Sequence, residues 1–285
     1  MKKKLVVLLA VVMMFAFSAS AYAVDFTDIS EQPVTVQDAV AKTTALGIIE
    51  GYSDGTFGPE QNITRAEFAK IAVTAAGAKD TAAMLEKNAS SFKDVKAGQW
   101  YTGWINASES LGIFQGDGNG NFRPNDSISN QEVITVLMRL LGYNDNLTGT
   151  WPVNYVTQAN KVGILDDVTV VASAAAKRAD VVVMLDDTLD TKMVTYDKDT
   201  NEFVDKQTTI QGEATNITLL ADSFKGTYYE YDEFDAVDQV RDAAKEQLNW
   251  TIGTLAAGQG TPAYGSTLII DKDTKVSYNG GGLVG

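Results

Sequence analysis

Aspartate and glutamate are the abundant reactive groups of this chain, and three stretches concentrate them. Asp117-Gly118-Asn119-Gly120-Asn121 and Asp197-Lys198-Asp199-Thr200-Asn201 set oxygen-bearing side chains at alternating positions, as a calcium loop does. Such a loop needs glycine at its sixth position and glutamate at its twelfth. The first stretch has Phe122 and Ile128 there, and the second has Glu202 and Thr208. Both read as turns, and no metal site is expected. The segment YYEYDEFDAVD, Tyr228 to Asp238, has carboxylates enough for the acid pair of a glycoside hydrolase. Its spacing marks out no such pair. A solvated helix start accounts for it, with Asp235 as the cap and Val237, Val240, Ala244 and Leu248 at helical spacing.

Two residue types are missing altogether. The 285 residues include no histidine and no cysteine. Ser-His-Asp and Cys-His catalysis and histidine zinc sites are therefore excluded, and stability must come from packing without disulfides. These absences favour a chain that is not an enzyme and carries no cofactor. With 37 acidic and 23 basic residues the formal charge is −14. Such a surface repels nucleic acid and anionic membrane, because phosphate binding needs clustered Lys and Arg.

The N-terminus reads as an address. Lys2, Lys3 and Lys4 precede an apolar run from Leu5 to Phe17, and Ala21-Tyr22-Ala23 fits a signal-peptidase site. Residues 1–23 are thus expected to be a signal peptide, and the mature chain to be exported without a membrane segment.

The elements that would position any site come from a repeat. Residues 46–67, LGIIEGYSDGTFGPEQNITRAE, align without a gap on residues 111–132, LGIFQGDGNGNFRPNDSISNQE. Upstream, Phe26-Thr27-Asp28-Ile29 matches Phe92-Lys93-Asp94-Val95, one residue off that register. The period is about 65 residues, and such units bury their apolar faces on one another. Each copy predicts a helix ending at Gly47 or Gly112, a loop turning at Asp54-Gly55 or Asn119-Gly120, and a second helix. Thr64 with Glu67, and Ser129 with Glu132, form capping boxes that start the second helix. A third, worn copy begins at Trp151; Val162-Gly163-Ile164 ends its first helix, and Lys177-Arg178-Ala179-Asp180 stands where Thr64-Arg65-Ala66-Glu67 does. In that register Trp151 falls on Trp100 and Tyr155 on Trp104.

The pattern F-x-D-[IV], L-G-I-I, G-Y-x-D-G-T-F-x-P and I-T-R-A-E-F resembles the S-layer homology domain. The resemblance covers residues 25–190 and implies an α-helical triplet, a pseudo-threefold spindle with ligand grooves between lobes. It further implies non-covalent attachment to a secondary cell-wall polysaccharide, often a pyruvylated one, at the cell surface. The arginine of the family motif maps to Arg65 and Arg178, and Asn130 replaces it in the second copy. A guanidinium fork suits a pyruvyl carboxylate. The expected groove is built on Arg65 with Asp54 and Gly55 nearby and Trp100 or Trp104 stacking on a sugar; the amide at Asn130 lacks the charge and predicts a weak or silent groove, and Arg178 is the candidate for a further one beside a degenerate loop. Arg65 as an exposed ion-paired residue and the tryptophans as core are the alternatives.

The resulting expectation is a signal peptide (1–23), repeats at 24–85, 90–145 and 150–190, and a small β-rich α+β region at 191–285. In that region Met193 to Ile210 reads as a hairpin turning at 197–201, and Ile217 to Ala221 and Thr267 to Tyr278 as strands. The ending SYNGGGLVG stops on a turn signal, as a fragment or an early-ending chain would. The function read from all this is wall anchoring, with a structural surface-layer role and self-association for the C-terminal region. A wall-anchored carbohydrate-active enzyme or a display module is the alternative.

Overall fold

The computed structural model describes residues 26–210 and 213–224, and four short strand segments beyond them. The signal peptide and the helix read at 235–250 lie outside the described residues.

Two helix–loop–helix units lead the chain. The first has helices α1 (Val34–Ala45) and α2 (Arg65–Ala75); the second has α4 (Thr102–Ser110) and α5 (Asn130–Leu140). A short helix that the repeat pattern does not foretell, α3 (Lys79–Leu85), joins them. A third segment supplies α6 (Val153–Lys161) and α7 (Arg178–Asp190). The capping boxes start α2 and α5 as the sequence predicts. Glu67 Oε2 accepts from the Thr64 N–H at 2.8 Å, and Glu132 Oε2 accepts from the Ser129 N–H at 2.9 Å.

The second helix of each segment is the inner one. Ala66, Phe68, Ala69, Ala72 and Ala75 of α2, and Val133 and Leu137 of α5, are fully buried. Small residues around α2 let its neighbours approach closely. Each inner helix is covered by the outer helix of the following segment: α4 packs on α2 and α6 on α5. The first segment's outer helix, α1, packs on α7 and closes the circuit. Buried Lys42 of α1 joins that closure, with Nζ 2.7 Å from both Asp186 Oδ1 and Asp190 Oδ2.

The circuit is closed a second time by the backbone. The Ile128 N–H donates to the Ile63 carbonyl at 3.0 Å, Ala176 to Ile128 at 2.8 Å, and Ile63 to Ala176 at 3.1 Å. All three side chains have no exposed surface. Each inner helix also gives its first free N–H groups to the following loop. Arg65 and Ala66 donate to Asp126 and Pro124, Asn130 and Gln131 to Ala174 and Ala172, and Arg178 and Ala179 to Gln61 and Pro59. Helix N-termini have orphan donors that must be met somewhere. Here the next segment meets them.

Past residue 190 the chain does not leave this body. Met193, Val194, Leu219 and Leu220 are buried in the same core as the helices, so the core crosses the boundary placed at 190. Strands β1 (Val194–Asp197) and β2 (Glu202–Asp205) form the expected antiparallel hairpin. The Val194 N–H donates to the Leu141 carbonyl at 2.7 Å, stitching the hairpin to the end of α5. Strands β3 (Gln207–Ile210) and β4 (Glu213–Asn216) pair next. The strand expected at 217–221 is instead the start of helix α8 (Leu219–Phe224), whose paired leucines Leu219 and Leu220 both reach the core. Two further antiparallel pairs, β5 (Thr227–Tyr229) with β6 (Leu268–Ile270) and β7 (Ser277–Tyr278) with β8 (Leu283–Val284), complete the described residues.

Candidate functional site

The loops of the two units are held by a residue that the motif hides. Asp28 accepts from the N–H groups of Phe57 and Gly58, both at 2.8 Å. Asp94 does the same for Phe122 and Arg123, at 2.8 and 2.7 Å. The aspartate of F-x-D is thus a two-pronged clamp on the loop. Its recurrence was the signal; its partners, some thirty residues on, were not legible.

Beneath each loop lies the first residue of the preceding inner helix. Arg65 is 2% exposed. Its Nε donates to the Phe122 carbonyl at 2.7 Å, one terminal nitrogen to the Gln115 carbonyl at 3.1 Å, and the other to Glu132 Oε1 at 2.5 Å. The guanidinium lies 5.0 Å from the ring centres of both Phe114 and Phe122. Burial pulls its pKa down, and Glu132 opposes that shift. Arg178 does the same under the first loop, donating to the carbonyls of Phe57 at 2.8 Å and Glu50 at 3.1 Å, 4.8 Å from the rings of Tyr52 and Phe57. Asn130 serves the third segment's loop through the carbonyls of Val171 and Ala174. Each is a latch, so Arg65 is neither an exposed helix residue nor dispensable to the scaffold.

This arrangement regroups the residues read from the sequence. Asp54 and Gly55 belong to the first loop, which rests on Arg178 and not on Arg65. Asp54 accepts from the Thr56 N–H and hydroxyl, a turn role that also holds its carboxyl below the usual range. Trp104 faces α2, with Lys70 Nζ 5.9 Å from its ring centre and Lys70 paired to Glu50 at 2.7 Å. It therefore lies toward the first loop as well. Trp100 is 55% exposed and stacks edge-on against Tyr101.

Arg65 instead forms the floor of a cavity of about 570 Å³ on the second loop. Arg123, Glu132, Arg139, Asp145 and Trp151 line it too, with residues 116–118, Asp117 among them. The sequence marks Glu132 only as a helix cap and Trp151 only by its repeat register with Trp100, and it does not single out Arg123, Arg139 or Asp145. The Trp151 indole N–H donates to Thr135 Oγ1 at 2.9 Å while half of the residue stays open to solvent. That fixes a flat apolar face in the wall. Arg139 donates to Asp145 at 2.9 Å, and the Tyr155 hydroxyl donates to the same Asp145 oxygen at 2.7 Å. Burial, then Asp145, pushes the Tyr155 hydroxyl up to about 12, so it remains a donor. The Tyr155 hydrogen bond, foremost, holds Asp145 ionised. Glu132 has one oxygen on the helix cap and the other shared by Arg65 and Arg123. A carboxylate so engaged is ill placed to move protons. The cavity thus sets three guanidiniums against Asp117, Glu132 and Asp145, with an exposed indole face beside them.

Helix–loop–helix segments, each latching the loop of the next, define a tandem helical module. The family model of the S-layer homology domain matches residues 25–69 and 91–134. A "Cell surface protein" of Thermoanaerobacter kivui is 35% identical over 200 residues, which is 68% of this chain and 26% of that protein. The "Middle cell wall protein" of Brevibacillus brevis is 31% identical over 212 residues, 74% of this chain and 19% of the relative. An "Amylopullulanase" of Thermoanaerobacterium thermosulfurigenes is 32% identical over 165 residues, 53% of this chain and 8% of its own length. The chain spans about a quarter or less of each of these relatives. The S-layer homology segments and the surface-protein relatives indicate a cell-surface location. Among the described residues no helix is long and apolar enough to cross a membrane.

Proposed function

We propose that this chain is an exported surface protein whose residues 26–190 anchor it non-covalently to an acidic cell-wall polysaccharide. In this reading residues 1–23 are a cleaved signal peptide and 150–190 is a worn third copy of the repeat. The observation that carries it is the cavity on the second loop, where a hydrogen-bonded, half-exposed tryptophan and the half-exposed fork of Arg123 share one space with Arg65 and Arg139 and the carboxylates of Asp117, Glu132 and Asp145. Arg178 adds a second charged position. It is buried, and no carboxylate lies within ion-pair distance of it among the described residues. Among the described residues this buried cation is met by two carbonyls, the Tyr52 hydroxyl and two rings, with no carboxylate, which favours an anionic guest. A pyruvyl group on the polysaccharide would supply the carboxylate. The region from 191 on would serve a surface layer through self-association.

Anchoring is tested by sedimenting the mature chain with purified sacculi, before and after chemical removal of the attached polysaccharide. Binding should vanish with the polysaccharide. Binding that survives the stripping defeats the mechanism. The second reading, display of a carbohydrate-active enzyme, is favoured by relatives named for such activities, the amylopullulanase and an "Exoglucanase XynX" of Acetivibrio thermocellus, which share the repeat-bearing part. Assay of any longer form of the chain against soluble polysaccharides separates the two.

A further inference from the structure

Arg123 has a backbone conformation that its side chain disfavours. Its φ is 59°, in the left-handed region where a residue with a Cβ is uncommon. The gapless register sets it opposite Gly58 of the first loop, whose φ is 74°. Both give their N–H to the clamping aspartate, Gly58 to Asp28 and Arg123 to Asp94. Both loops therefore need a left-handed residue here, and glycine supplies it without strain in one of them. The fold alone has no use for a side chain at 123.

The contacts of the guanidinium do not explain it either. Arg123 stands 3.6 Å from Asp126 and 3.3 Å from Glu132, with 42% of its side chain exposed. Exposed pairs of this kind contribute little to stability, and Glu132 is already engaged by Arg65 and by the cap of α5. A neighbouring position differs in step. In the first loop the Tyr52 ring lies 2.8 Å from where a Cβ on Gly58 would be, so a larger residue is barred. The second loop has Asp117 at the place of Tyr52; the N–H groups of Asn121 and Asn119, and to a lesser degree the charge of Arg123, hold its carboxyl below the usual range. Two linked changes thus turn an aromatic wall into one that admits a cation.

We propose that Arg123 determines which saccharide this cavity accepts, swinging its guanidinium from Glu132 onto a carboxylate of the ligand while Arg65 stays bonded to the loop. This rests on the anchoring function above and deepens it. Arg123 is the freest of the three arginines, since Arg65 is buried and the Arg139 side chain is 10% exposed and tied to Asp145. The first loop, with Tyr52 and Gly58, offers a ring and no cation at this point. The two loops would then prefer different sugars of one polymer.

The test compares the native chain with Arg123→Gly, Arg123→Lys and Arg123→Ala for binding to purified sacculi and for thermal stability. Arg123→Gly should weaken binding by about tenfold or more, the scale of one charge-assisted pair, while raising Tm by about 2 °C through relief of the backbone. Arg123→Lys keeps the charge without the fork and should fall between native and glycine. Arg123→Ala should lose binding without the gain in Tm. Glucuronate should compete with the sacculi better than inorganic phosphate does. Undiminished binding by Arg123→Gly overturns the proposal, as does lost binding accompanied by a lower Tm, or competition by phosphate alone. A native chain that ignores sacculi overturns the anchoring function itself, and this proposal with it.

Discussion

Replacing Arg65 by alanine should damage the fold before it damages binding. The substitution leaves the carbonyls of Gln115 and Phe122 without their buried donor and removes the cation from between two phenylalanine rings. An unmet buried polar group costs about 1–3 kcal/mol, and a desolvated cation–π contact contributes about 0.5–2 kcal/mol. Glu132 keeps Arg123 and its cap, so its loss is smaller. The sum is roughly 3–5 kcal/mol after partial relaxation, a large share of the roughly 5–15 kcal/mol that holds a domain together. At about 2–4 °C per kcal/mol for a body of this size, Tm should fall by about 6–20 °C. Thermal unfolding followed by far-ultraviolet circular dichroism measures this directly. A Tm within about 2 °C of native would show that the guanidinium is not a latch, and would restore it as a ligand contact first.

Two other perturbations probe the seams of the molecule. Asp187 has its carboxyl pushed up to about 7, first by burial and then by Asp186 and Asp167. The folded state holds this proton more tightly than the unfolded chain, so the associated stability is full below pH ~4 and is lost as pH rises through about 7. Asp187→Asn should therefore gain Tm over native progressively between those limits and by a constant amount above them; a gap that ignores pH refutes the assignment. Gly142 has a φ of 99°, and a Cβ there would run into the Val194 carbonyl. Gly142→Ala should cost about 3 kcal/mol and lift the hairpin, exposing 191–210 to limited proteolysis; unchanged protection would mean that the hairpin is not held there.

The sequence displays what is local and repeated. The capping boxes, the glycine helix ends and the Asp197–Asn201 turn each depend on residues within a few positions of one another, and the structure has them where they were read. Asp117 and Asp197 are turn formers, accepting from the N–H groups of Asn119 and Asp199 at 2.8 Å. What the sequence conceals is which loop lies over which helix. Arg65 precedes its own segment's helix, yet its three acceptors are 50, 57 and 67 residues ahead. Grouping it with Asp54 and Gly55 followed chain proximity, and the relay to the next segment defeats that. The leucines at 219 and 220 misled differently. An apolar run of that length fits a strand or a helix equally, and only docking on the core decides.

The relay of helix ends also limits how such a gene can change its length. Each helix finds the acceptors for its first N–H groups in the segment that follows, and the last finds them in the first. Deleting one duplicated stretch would strand a set of donors at one end and a set of carbonyls at the other. Adding a fourth would require a wider circle than the hydrogen bonds among Ile63, Ile128 and Ala176 can span. Three segments satisfy the ring of hydrogen bonds, and each depends on the other two. The segment at 166–176 has no glycine turn, yet its carbonyls at 172 and 174 still meet the first N–H groups of α5.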